Sequence, residues 1–419
     1  MCSRILFASL IAGGCLSALG HPLWGDTVKV VWLAAVLVTV SLPAQACSDA
    51  PVRTPAAEST DSAPSGSLDT GTYPVTPGPA LGNAGSDVVG RRIEAQRMSS
   101  AVIGPWEVDP DLNRKDMPNA VMKSEALRDV FSQEAVRIAI DHGYVTGFAN
   151  ARSTNDSAIP HDRRLKNFVM RFPDADAAAA VAPLLAAAER FGPGPVSPIS
   201  ISGHPDSHAA AGVSDKGKHV VAAFTPRGPF VLHEWGEASS TDTAAQLVGA
   251  ALDKQLPAID EFTPTDVAEL VNLPRDPSGL VARTIQQKEQ KSINSGYAYD
   301  RRGSLNFTLD PIALAAIEED AGVELMSGGA ATVFQTKDAT AARRMVAGLI
   351  TLAAKGRPGQ TGSTPTDAIP NLPDSQCVAD ENSNTCYATV DRYVIEAGQR
   401  DLLDAQQLAA AQYQVLQSK

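Results

Sequence analysis

The chain has 419 residues, room for two or three domains, and carries 47 acidic against 35 basic residues for a net charge of −12. So acidic a chain lacks the basic face that nucleic-acid phosphates require, which excludes nucleic acid as a partner. Hydrophobic residues at 44% supply a full-sized core, while aromatics at 5% leave little for a sugar- or base-stacking surface.

Two apolar runs open the chain, Ile5 to Leu19 and Val30 to Leu42, separated by the turn-like stretch Gly20 to Asp26. Neither reaches the roughly 20 residues that a spanning helix needs. The second run follows Lys29 and closes on the small residues Ala44, Gln45 and Ala46, the three-part pattern of a secretory signal. Residues 1–46 are therefore read as a signal peptide, with an alternative start near Val28 or Val30 that would leave 1–27 outside the protein. An uncleaved N-terminal anchor is the other reading. Cys47 directly after the small residues resembles a bacterial lipobox, in which the thiol is acylated and becomes the new N-terminus; Ala44 stands where Leu is usual. Cys15, at the end of Ile11-Ala12-Gly13-Gly14, is a rival, but it would leave a second apolar run and no tether in the mature chain. From Ser48 to about Asp87 large apolar residues are scarce and Ser, Thr, Pro and Ala abound. Such a segment cannot offset its ordering entropy, which predicts a disordered, flexible linker over 47–88.

Further along, Asp109 to Asn113 places oxygens at the first three spacings of a calcium loop. The required glycine and bidentate glutamate are missing, because Arg114 and Ala120 occupy those positions; Asp109-Pro110 reads as a turn. Ser124 to Gly143 has apolar residues at helical spacing and leads into a strand from Tyr144. The rest of the chain says one thing twice. Phe172 and Phe334 each end an apolar strand, with Asp176 or Asp338 four residues later as N-cap of an Ala-rich helix. Gly203 to Gly212 then matches Asn371 to Asp380, sharing Pro-Asp-Ser. Two short alternating strands follow in each copy, His219 to Ala238 matching Cys386 to Gly398, and each copy closes on a Gln- and Ala-rich helix. Hairpins mixed with helices imply an α+β fold: two related domains, each an antiparallel sheet with helices packed on one face, a ferredoxin-like variant. Clustered Pro and Asp near Phe262 to Gly279 put the boundary there, giving domains 89–262 and 263–419.

The mature chain keeps Cys377 and Cys386, nine positions apart in an exported protein, which reads as a disulfide closing a small loop. Its six histidines, His142, His161, His204, His208, His219 and His233, all lie in the first copy. The repeat alignment sets Ala209 at Cys377 and His219 at Cys386, so a disulfide-like approach would bring His208 near His219, with His204 four positions earlier. Asp206 or Glu234 could add an oxygen, and three imidazoles with an oxygen would suit zinc. Surface or turn histidines are the plain alternative. His233, Glu234 and Trp235 fall in a strand, where neighbours face opposite ways, so His233 and Glu234 form no acid/base pair. Arg301 and Arg302 flank a turn, read as solvated or as a local anion contact. The phosphate-loop, dinucleotide-binding and nucleophile-elbow signatures are absent from the sequence.

The lipobox-like Cys47, the Ser/Pro/Thr-rich tether, the segment Gly90 to Arg114 and the two related α+β domains together resemble the secreted lipoproteins of mycobacteria and nocardiae that carry paired domains of unknown function. The resemblance implies attachment to the outer face of the cell membrane and supplies no reaction. The leading functional expectation is a non-catalytic envelope lipoprotein that binds a lipid, cell-wall material or a partner at a groove between its domains, with no cofactor. The alternatives are an exported metal-dependent hydrolase using His204, His208 and His219, and a structural scaffold of the envelope.

Overall fold

The structure is a computed structural model that describes residues 66–116, 121–154, 162–287, 295–356 and 361–418. The signal segment, Cys15, Cys47, His161 and the first part of the linker lie outside the described residues.

In the first half, helices α1 (Asp87–Arg97) and α2 (Pro105–Val108) lead to short edge strands β1 (Arg114–Lys115) and β2 (Val121–Met122) and to helix α3 (Gln133–Asp141). Then come the antiparallel strands β3 (Thr146–Ser153) and β4 (Arg164–Arg171) and helix α4 (Ala175–Ala187). The meander β5 (Ser197–Ile201), β6 (His204–Val213), β7 (His219–Arg227) and β8 (Phe230–Ala238) follows, and α5 (Thr241–Asp260) closes the half. The second half repeats the plan with β9 (Ala298–Asp300), α6 (Arg301–Ser304), α7 (Pro311–Ala321), β10 (Leu325–Gly328), β11 (Thr332–Gln335) and α8 (Ala339–Lys355). Its meander is β12 (Thr364–Thr366), β13 (Gln376–Ala379), β14 (Asn384–Val390) and β15 (Tyr393–Gln399), followed by α9 (Leu402–Gln417).

The sheets run β1-β3-β4-β8-β7-β6-β5, with β2 also on β3, and β9-β10-β11-β15-β14-β13-β12. Each half is thus an antiparallel sheet with helices, the α+β class that the repeated hairpins predict. Two particulars differ. Every pairing between these strands is antiparallel, as in a ferredoxin-like sheet, but in place of two β-α-β units each half has one helical crossover followed by a four-strand meander. One helical crossover per half (α4, α8) carries the chain to the far edge, and the meander walks back to pair with the strand before it. Helices also cover both faces instead of one. Phe148, Val169, Val221 and Leu232 face α5, while Phe168, Met170, Phe224 and Val231 face α3 and α4. Runs such as Val220 to Phe224 are apolar at successive positions, so both faces of the strand must be shielded from water. In the second half Val333, Ala388 and Ile395 face α9, and Met326, Phe334 and Val394 face α7 and α8.

Local chemistry explains the element ends. Asp174 accepts from Ala177 N at the start of α4, and Asp338 accepts from Ala341 N at the start of α8. The cap of α4 is thus Asp174, two residues before Asp176. The long helix expected from Ser124 is broken: a 3-10 segment, Ser124–Asp129, precedes α3, which restarts at the N-cap Ser132. Asp109 Oδ1 accepts from Asp111 N, the turn that Asp109-Pro110 predicts. The last part of the expected linker is part of the folded unit. Tyr73 Oη donates to Asp404 at 2.8 Å, Gly78 N to Ala282 O at 2.7 Å, and Ala84 N to Leu273 O at 2.8 Å. Leu68 and Tyr73 supply the apolar contacts with the α9 cluster that a disordered segment would lack.

Candidate functional site: a groove between the two halves

Alternation along β15 puts Val394 and Glu396 on the face toward α7 and α8. Register then brings Thr332 of β11 and Tyr387 of β14 to either side of Glu396. Here the sheet and the helices part to leave a groove of about 650 Å³, within the range of small-molecule sites. Its floor is apolar, made by Leu314, Met326, Phe334, Leu349 and Val378. The opposite wall comes from the first half, as Asn113, Arg114 and Lys115 reach over from β1. At the rim Leu309 is 48% exposed.

Glu396, Tyr387 and Lys115 are ionisable groups in the polar parts of this groove. Tyr387 Oη donates to Glu396 Oε1 at 3.2 Å. Burial pushes the Glu396 carboxyl above its ordinary range, against the opposing effect of that hydrogen bond. Burial and the carboxylate together push the Tyr387 phenol up. Lys115 is half-buried and lies directly opposite Arg152 in the β1–β3 pairing. Burial lowers its ammonium, and the neighbouring guanidinium lowers it further. Arg152 itself has no solvent exposure. It donates to Asn113 O at 3.0 Å and Thr308 O at 2.8 Å, and stands 5.0 Å from the centre of the Trp106 ring.

The repeat shows how the equivalent row of the first half is filled. The tight turns Arg227–Phe230 and Val390–Tyr393 are equivalent, each closing its hairpin. Counting from them, Glu396 corresponds to His233, Tyr387 to Phe224 and Thr332 to Phe168. In the first half that row is filled: the rings of Phe131 and Phe224 lie 5.0 and 4.4 Å from the His233 ring, and Phe168 lies 6.4 Å away. His233 is fully buried, and desolvation, with Lys166 nearby, drives its pKa well below 6.5. Thr332 in place of Phe168 removes the ring that would plug the second half.

The same turn-anchored register places the expected zinc ligands. Cys377 pairs with Cys386, and its counterpart Ala209 pairs with Ala223, so the counterpart of Cys386 is Ala223 and not His219. The first hairpin is the longer of the two, and an alignment begun at His219 slips along it. His208 lies opposite Phe224 and His219 opposite Val213, five strand positions apart, or roughly 17 Å. His204, His208 and His219 are therefore not brought together. His204 Nε2 lies 3.1 Å from Asp253, and His219 Nδ1 lies 2.9 Å from Thr241 Oγ1. Among the described residues no group of three or more His, Cys, Asp or Glu side chains is placed to hold a metal. His142 Nδ1 donates to Ile138 O at 2.8 Å, capping α3. His233 and Glu234 point to opposite faces of β8, as alternation predicts. Arg302 pairs with Glu107 at 3.0 Å and Arg301 with Glu319 at 3.6 Å. The sulfurs of Cys377 and Cys386 lie at bonding distance, with Cα atoms 4.0 Å apart. Glu396, Tyr387 and Lys115 are the functional candidates that sequence reasoning missed; a glutamate among the apolar residues of Tyr393 to Ala397 was the available signal for the first.

Residues 81–275 match the family described as Domain of unknown function (DUF7373) N-terminal, and residues 280–419 match Domain of unknown function (DUF7373) C-terminal. Among solved structures, the extracellular domain of PknH from Mycobacterium tuberculosis is similar at 15% identity, covering 38% of this chain and 95% of that one with a TM-score of 0.28. No curated protein matches the chain. Among the described residues no helix is long and apolar enough to cross a membrane.

Proposed function

Since the chain belongs to the DUF7373 family, carrying its N-terminal and C-terminal domains in order, we propose that it is an envelope lipoprotein that binds a ligand without catalysis in the groove between those domains. The observation that carries this reading is the 650 Å³ groove itself, apolar along its floor and closed on one side by β1 of the other domain. Attachment rests on the signal-like segment ending at Cys47. The arrangement of faces supports it. Leu68 and Tyr73 lie against the α9 face of the second sheet, while the groove lies on the opposite, α7/α8 face. Leu68 and Tyr73 and the groove are thus on opposite sides of one domain.

A native mass spectrum of the protein extracted gently from its host's membranes tests both parts. The expected result is an acylated Cys47 at the N-terminus and an extra mass that denaturation releases. An acylated chain with no such mass would remove the binding reading, and a chain that keeps residues 1–46 without acylation would remove the lipoprotein reading.

A further inference from the structure

Resting on the groove reading, we propose that the ligand is an anionic amphiphile, with its acidic head group held by Lys115 and its acyl chain laid along Leu314, Met326, Phe334 and Leu349. Lys115 and Arg152 stand directly opposite each other across two strands, where like charges repel. Arg152 is compensated: backbone carbonyls and the Trp106 face take its guanidinium, and Asp310 acts on it electrostatically. The side chain of Lys115 has no hydrogen-bond or ion-pair partner among the described residues, although the residue is half-buried and lines the groove.

The carboxylates of the groove are otherwise engaged. Asp310 accepts from Ala313 N at 3.0 Å as the cap of α7, and from Asn113 Nδ2 at 3.3 Å. Asp380 accepts from Asn382 N at 2.8 Å and Ser383 N at 2.9 Å within its own turn. Glu396 takes the Tyr387 hydroxyl. Arg114, the other cation of this wall, is engaged elsewhere, so Lys115 is left over beside a floor of hydrocarbon, and an acidic head group with an apolar tail complements both. Leu309, exposed at the rim, gives the tail an apolar entrance.

The test is photo-crosslinking of the full chain in phosphatidylcholine vesicles with two probes of equal length, a diazirine-bearing hexadecanoic acid and the matching hexadecanol. The acid is expected to label peptides of α7, α8 and β11, and the alcohol to label them about tenfold less, the scale of one charge-assisted hydrogen bond. Lys115→Gln should bring the acid down to the level of the alcohol, while Lys115→Arg restores it, with near-ultraviolet circular dichroism unchanged. If Lys115→Gln fails to fold, the comparison of the two probes on the unmodified chain still decides. Equal labelling of the groove by both probes would overturn the acidic head group and leave the groove reading standing. Labelling by neither probe in the groove would overturn both.

Discussion

Glu318 is a carboxyl with no solvent exposure on α7, accepting from Ser304 Oγ at 2.9 and 3.1 Å. Burial raises its pKa from 4.5 to about 8, outweighing the Ser304 hydrogen bond and the Arg301 charge. Between those two values the folded chain keeps a proton that the unfolded chain has released. The unfolded state then binds fewer protons, so stability falls as pH rises, on the order of 1 kcal/mol per pH unit. The contribution of Glu318 is therefore full below about pH 4.5 and lost above about pH 8. Glu318→Gln keeps an acceptor for Ser304 and removes the ionisation. Urea unfolding across this window should show a variant that is more stable than the parent at pH 7 to 8, with the slope reduced. Parallel curves for parent and variant would show that Glu318 is not the protonated group. Glu396 has the same sign, since burial raises it too, and its exchange for Gln should flatten the profile further.

At the level of elements, the sequence carried the helices and strands but not their register. The Ala-rich helices, their aspartate caps and the paired hairpins follow from spacing, because a cap and a period of 3.6 are local properties. Hairpin length is not local. Matching the copies at His219 and Cys386 assumed equal hairpins, whereas the turns at Arg227–Phe230 and Val390–Tyr393 are the equivalent points. That slip assembled a histidine cluster that the strands hold apart, and it hid the equivalence of Glu396 with His233. The groove was illegible for the same reason: it arises from Thr332 where the other copy has Phe168, a difference visible only once register is known. The pair Cys377 and Cys386 ties β13 to β14 on the α9 face. Closing so short a loop stabilises by about 2–3 kcal/mol in the chain-entropy account. Reduction should lower the midpoint of urea unfolding accordingly, with two thiols becoming open to alkylation only afterwards. Two alkylated thiols before reduction would refute the bond.

For the molecule as a whole, the groove keeps its shape only if β1 and the second sheet stay in fixed relation, and buried polar side chains hold them there. Arg152 of β3 donates to Thr308 O and Leu309 O, Gln96 Nε2 donates to Tyr299 Oη at 3.1 Å, and Asn150 Nδ2 donates to Asn306 Oδ1. The rings of Phe148 and Phe307 meet edge to face at 6.3 Å. Separating the halves would strand each of these groups, at about 1–3 kcal/mol for a neutral donor or acceptor and more for the guanidinium. Neither half can therefore open while the other stays native. Calorimetry of the full chain should show one transition, with calorimetric and van't Hoff enthalpies equal. Arg152→Ala leaves Asn113 O, Thr308 O and Leu309 O without their donor and should cost about 1–3 kcal/mol for a stranded acceptor, moving that single transition down without splitting it. Two resolved transitions in the unmodified chain would mean that the halves fold independently. The wall that Lys115 provides would then be free to leave the floor, and the groove would be a property of one arrangement of the halves instead of a built site.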